Sequence, residues 1–477
     1  MTEPQRAALT LPDRVGVVNV GLSLFADAIR EQGAPVVSVD WRVPAGGQPA
    51  AVAALGRLYG IHAERIEAAN AEVLRRLDES SPLLTAVTTV ARAVPGLAGG
   101  SDRTLLHCGP AVRYADAPDP LRRSMRAAVV AEGWAGRLEQ ADALLAREEV
   151  RLVPANEHRV VVPMATALGA SAPLYVVENQ AGGTTGYAPI SQGPGEVAWF
   201  GVASEASVAR LVFLRDVAAP VIGRILERTG PLDVLSLAAQ AVAMGDDVHV
   251  RTQAATNLLI RAWLPQLTEL GGPDSVAFAR FLAGNHLFFL TLAMAAARSL
   301  TEWAAQVPES SIVTTMARNG TTFGIRLAGA DQWFTSEAPE VGHALYYPGQ
   351  GPRTSARDIG DSAVLELSGL GAAAAAGSPA VAQLLGGSLR AAADLTGRLA
   401  AVCAGRSSRF KIPVLDNAGT PLGVDVRKVV ELGITPAVTT GILHRSAGTG
   451  QVGAGVAEAP LACFAAALAD LDRRLAC

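Results

Sequence analysis

The strongest constraint on the fold is a change of hydrophobic period along the chain. From 205 to 305 apolar residues recur at helical spacing, with turn signals only around Gly230-Pro231, Gly245 and Gly271-Gly-Pro273. Such a run predicts several consecutive helices. Before it the period shortens, and residues 14–41 read as strand, helix, strand: Val15–Gly21, an amphipathic stretch from Leu24 closed by Gly33, then Pro35–Trp41. Short β-branched runs on both sides of a helix make a βαβ unit. The expectation is a multidomain α/β fold. It has a Rossmann-like N-terminal unit with following helices (1–100), a mixed α/β domain (101–204), a helical insertion (205–305) and a C-terminal α/β domain (306–477). Finer expectations are helices at 50–74, 80–93, 121–147, 379–386, 388–404 and 460–474, a strand at Arg103–Pro110 and strands near 150–154 and 172–178.

Composition narrows the function. A formal net charge of -4 gives no global attraction to nucleic acid or an anionic membrane, so neither is expected as a partner. The start Met1-Thr-Glu-Pro-Gln-Arg lacks a basic-then-apolar leader, and polar residues break every apolar run before about 18 residues, so a cytoplasmic location is expected. Cys108, Cys403, Cys463 and Cys477 lack zinc or redox-pair spacing and read as reduced, mostly buried thiols.

The candidate chemistry gathers in Ile434–Gly455, where Gly448, Gly450, Gly453 and Gly455 accompany His444, Arg445 and Gln451. Glycines permit close approach to a ligand, and free N–H groups suit an oxyanion. The spacing matches neither the dinucleotide nor the phosphate-loop fingerprint, so no cofactor is called for. Arg318, Asn319 and Gly320 follow an apolar run: Arg offers a planar fork of donors, and Asn both donates and accepts. Asp246 and His249 are three apart and would share a helical face, making His249 a base competing with His444. A structural hydrogen bond serves that pair equally well; no metal is called for, since further ligands are lacking. His107, His158, Glu178 and Asn179 read as polar tips of strands lining a cleft, while Asp361 either caps a helix or positions an amide. Asp425 and Arg427 either pair or meet an anion.

Several segments together carry a resemblance. They include Leu105-Leu-His-Cys-Gly-Pro110, Glu132-Gly-Trp134, Val176-Val-Glu-Asn179, Met244-Gly-Asp246, Ser311–Gly320, Phe323-Gly-Ile-Arg326, Trp333-Phe-Thr335, Gly360-Asp-Ser362, Glu431–Pro436, Gly450–Gly455 and Ala459–Phe464. With these, residues 100–470 closely resemble the YlbE-like family encoded beside FdrA-like proteins, associated with the large subunit of oxamate carbamoyltransferase. The resemblance implies an oligomeric, multisubunit enzyme of purine or allantoin catabolism, with an FdrA-like and a small accessory partner, acting on small anionic substrates. It would interconvert oxalurate plus phosphate with oxamate plus carbamoyl phosphate. A noncatalytic scaffold subunit, or a component of an acyl-CoA or nucleotide-dependent ligase, is the alternative.

Overall fold

The computed structural model describes residues 15–97, apart from 40 and 42, and residues 103–476; Cys477 lies outside them. Among the described residues, no single helix is long and apolar enough to cross a membrane. The N-terminal unit is the expected βαβ: strands Val17–Val20 and Val36–Val39 pair in parallel around helix Ser23–Glu31.

The body is α/β throughout, with mixed sheets and helical regions. Residues 80–93, expected as a helix, contain instead the eight-residue strand Pro82–Thr89 and only one helical turn, Val90–Ala93. The β-branched run Thr85, Val87, Thr88, Thr89 prefers the pleated surface over a helix. This strand is central in an antiparallel sheet ordered Thr184–Pro189, Pro173–Asn179, Pro82–Thr89, Leu232–Asp233. Two long helices of the sequence reading are each divided. Pro49–Tyr59 and Ala63–Asp78 part at Gly60, while Asp119–Ala131 and Leu138–Ala146 part around Gly133, whose φ is +73°.

The helical stretch runs from Glu205 to Thr229 with a π-helical turn at Leu214–Ala218, then through Val234–Ala243, Gln253–Leu270, Gly272–Ala283 and Phe288–Ala304. Phe288–Ala304 is buried along most of its length and lies directly on strand Thr184–Pro189. A Cβ at Gly186 would sit 2.2 Å from the Ala295 carbonyl, so this contact requires glycine. The resulting core joins Tyr175 and Val177 of the sheet to Phe289 and Met294 of the helix and to the distant Phe410 and Leu422.

C-terminal to it stands a second antiparallel sheet, ordered Phe334–Glu337, Thr322–Leu327, Val313–Asn319, Ile359–Gly360. A three-stranded sheet has Gln451–Glu458 between Val341–Tyr346 and Ala437–Leu443. The glycine-rich segment is therefore mostly hairpin. Gly453 and Gly455 face strand rather than ligand: a Cβ on either would lie 2.3 Å from the Leu345 carbonyl or 2.2 Å from that of His343. Arg427 is structural too, donating to Asp425 at 2.7 Å and Glu67 at 2.8 Å beneath the Tyr59 ring. Cys108, Cys403 and Cys463 are buried free thiols.

Candidate functional site

Residues 244–252 form a tight loop, so Asp246 and His249 do not share a helical face. Asp246 accepts from Ala255 N at 2.9 Å at the start of Gln253–Leu270 and pairs with Arg251 at 3.0 Å. Asp247 binds Val250 N and Arg251 N, closing the loop around Val248, whose φ is +61°. A fully buried β-branched residue in the left-handed region is strained by about 1–3 kcal/mol, which the surrounding bonds must offset.

The strain presents His249. Its Nδ1 lies 2.8 Å from Glu366 Oε1, a carboxylate from helix Val364–Leu367 that also receives Thr439 N at 3.1 Å and the Thr439 hydroxyl at 3.2 Å. Gly371 makes room for this pair, because a Cβ there would fall 2.2 Å from Glu366 Oε1. Since the carboxylate accepts at Nδ1, a neutral His249 carries its lone pair on Nε2. Among the described residues that nitrogen has no hydrogen-bond partner, and it is not sealed from solvent.

His249 lines a cavity of about 440 Å³ whose walls include Pro163, Met164, Trp199, Phe200, Leu287 and Leu290. Its polar groups are His249, Ser362 and Gln451. Phe200 and Gln451 also border an open cleft of about 1,200 Å³ formed with Arg123, Ser204, Tyr347, Gly448 and Thr449. Small inner chamber and wide outer cleft thus share a wall. The hairpin turn supplies the cleft's floor: Ala447 and Gly448 are both left-handed, and among the described residues the N–H groups of Gly448 and Thr449 are unbonded to protein. Arg123, held by Asp119 at 2.7 Å, lies against Gly448 and adds positive charge. Unbonded N–H groups beside a guanidinium are the elements of an oxyanion site.

Arg318 is fully buried and does not reach either space. Its Nε donates to Asp358 at 2.7 Å, Nη1 to Gly360 O at 2.8 Å and Ser362 Oγ at 3.3 Å, and Nη2 to Thr440 Oγ1 at 3.4 Å. Its fork is taken up by protein groups, contrary to the expectation of a direct substrate contact; it bears on the chamber by orienting Ser362. Asp361 clamps the chamber wall from behind, accepting Gly109 N at 2.7 Å and Val162 N at 3.1 Å. Gly360 is obligatory beside it, with φ +115° and only 2.4 Å between a would-be Cβ and Met164 N.

The other expected residues are dispersed. Asn319 is buried, donating to Pro110 O and receiving Thr321 N and Thr322 N, so it shapes the turn at Gly320. Asn179 bonds Ser80 and Ser81 at a strand end, Glu178 is exposed, and His158 is half-buried on a 3-10 turn. The His444 ring is engaged by Ser446 within its own turn, and Arg445 borders a separate cavity of about 890 Å³ with Arg357 and Glu340. Arg318 touches Thr440, and His444 lies four residues further along the strand, roughly 13 Å at 3.3 Å per residue. Arg318, Asn319 and His444 therefore do not meet in one cleft.

His107 is sealed, its Nδ1 donating to Cys108 O at 2.8 Å, and burial pulls its pKa down to about 4. The unfolded chain takes that proton near pH 6.5, so His107 makes stability fall as pH drops from about 6.5 to about 4, by up to about 3 kcal/mol. Asp361 has the opposite sign. Burial raises its pKa to about 7, so the native state keeps a proton the unfolded chain loses above about pH 4, and stability declines as pH rises through that window. His107→Gln should flatten the acid limb of the wild-type profile in urea unfolding from pH 7 to 4. An unchanged profile would mean that His107 does not titrate this way.

Four similarities bear on this geometry. Residues 150–362 match the family model "Oxamate carbamoyltransferase subunit AllG". The chain is 37% identical over 409 residues to the Escherichia coli (strain K12) oxamate carbamoyltransferase subunit AllG, covering 84% of this chain and 97% of that protein. It is 34% identical over 460 residues to the uncharacterized protein YahG of the same organism, covering 95% and 96% of the two chains. A crystal structure of a conserved protein of unknown function from Enterococcus faecalis V583 superposes with a TM-score of 0.82 at 31% identity, covering 86% of this chain and 98% of that one. On sequence along most of both chains, this protein belongs to the family of the carbamoyltransferase subunit AllG.

Proposed function

We propose that the chain is the large subunit of a carbamoyltransferase that interconverts oxalurate plus phosphate with oxamate plus carbamoyl phosphate, in purine or allantoin catabolism. It would work with an FdrA-like and a small accessory subunit. The observation that carries this reading is the small chamber holding the available Nε2 of His249, walled off from the Arg123–Gly448 cleft only by the shared Phe200 and Gln451.

The chemistry follows from these groups. A phosphate oxygen attacks the ureido carbonyl carbon of oxalurate, a C–O bond forms, and the bond from that carbon to the oxamate nitrogen breaks. Protonated His249 delivers its proton to the departing nitrogen; in reverse, neutral Nε2 removes an N–H proton as the oxamate nitrogen attacks carbamoyl phosphate. Ser362, whose oxygen accepts from Arg318, is left to donate its own proton to the carbonyl oxygen as charge develops there. Arg123 and the N–H groups of Gly448 and Thr449 suit the phosphate.

The test is phosphate-dependent cleavage of oxalurate, read as carbamoyl phosphate, with this protein alone and after reconstitution with the other two subunits. Turnover in the complete complex is expected. The scaffold alternative draws support from the separation of Arg318, Asn319 and His444, and it requires His249 variants to remain active in that complex. No turnover by a verified complex would remove oxalurate as substrate.

A further inference from the structure

The N-terminal βαβ unit contributes nothing to the apolar clusters of the body: among the described residues, none of 15–43 belongs to any of them. Its helix packs on its own two strands, and the pattern of burial shows which side that helix covers. Asn19 and Ala26 are buried and Val17 and Val36 half-buried, whereas Val18, Val20, Val37 and Val39 are 66%, 57%, 64% and 40% exposed. These four are paired in register, Val18 beside Val37 and Val20 beside Val39. They form a two-by-two array of identical apolar side chains on the face of a parallel sheet that no described residue covers. Parallel sheets are otherwise covered on both faces, and an isolated two-stranded pair is marginal in water.

We propose that this valine face is the isologous interface through which two copies of the chain associate. Three features favour a second copy. The array contains no charge, so it offers no complementarity that would select a differently charged partner. A two-fold axis in the plane of contact lays four equivalent valines on four equivalent valines, so the face is its own complement. With Leu22, Trp41 and Val43 nearby in sequence and 68%, 62% and 51% exposed, the exposed apolar surface of the unit is on the order of several hundred Å² per copy, the size of patch that marks an interaction site and approaching the roughly 800 Å² per partner of a standard interface. Two such faces stack at the roughly 10 Å separation of packed sheets, which buries the valines without disturbing the helices on the outer sides.

The experiment is sedimentation equilibrium of the full chain across the micromolar range, comparing wild type with Val18→Thr/Val37→Thr. Threonine keeps the branched shape and strand preference but places hydroxyls in the contact, so the unit remains folded. The expected result is a wild-type dimer whose dissociation constant rises at least tenfold in the double variant. Phe25→Ser, on the covering helix, should leave it unchanged. A monomeric wild type, or a dimer indifferent to the threonines, overturns the proposal. So does a wild-type monomer that associates through these valines only when another subunit is added, which would give the face to a foreign chain.

Discussion

Arg318→Ala is expected to cost about 3–5 kcal/mol of folding stability, because it leaves Asp358 charged and unpaired in a site that excludes water. The loss is large beside the roughly 5–15 kcal/mol that separates folded from unfolded chains. The guanidinium also supports Gly360 O, Ser362 and Thr440, so the segment carrying Asp358 and the wall carrying Ser362 both loosen. Urea unfolding at neutral pH checks this, and the paired replacement Arg318→Met/Asp358→Leu provides the contrast. Removing both charges leaves no orphan, so the double variant should recover much of the loss. A stable Arg318→Ala protein that merely binds phosphate more weakly would show that the arginine serves the substrate directly.

His249→Asn is expected to lower turnover of the reconstituted enzyme about 10²- to 10⁴-fold with little change in unfolding midpoint. The asparagine amide takes the place of Nδ1 and still donates to Glu366, so the buried carboxylate keeps a partner while the Nε2 available for proton transfer is gone. The size of the effect is that of a positioned acid-base group, about 3–5 kcal/mol in barrier. Full activity in a complex containing this variant would move the proton transfer elsewhere, to another histidine or to another subunit.

The fold was legible where a local pattern decides it. The βαβ period, the run of helices and the terminal helix all follow from side-chain spacing that does not depend on distant partners. It was illegible at 80–93, expected as a helix, where the β-branched threonines and valines prevailed through sheet pairing. The candidate site was legible only in part. His249, Gln451 and Gly448 were singled out, and each borders the inner chamber or the outer cleft. Their partners were not legible: Glu366 meets His249 across 117 residues, and Arg123 reaches Gly448 from a helix that looks like any amphipathic surface helix. Nor does sequence distinguish a buried arginine from an exposed one, which is why Arg318 read as a substrate contact. The glycines at 453 and 455 read as ligand-facing for a similar reason, since crowding by the neighbouring strand makes the same demand for a missing Cβ.

The bond from Glu366 to His249 has a consequence for chains that are never finished. Synthesis delivers the imidazole long before the carboxylate, Thr439 and Gln451, which come from the last quarter of the sequence. A product that stops short, or is clipped between them, carries a histidine with no fixed tautomer and a chamber with one wall missing. On the proposed mechanism, chemistry begins only with the complete polypeptide, and truncated molecules would be silent rather than promiscuous.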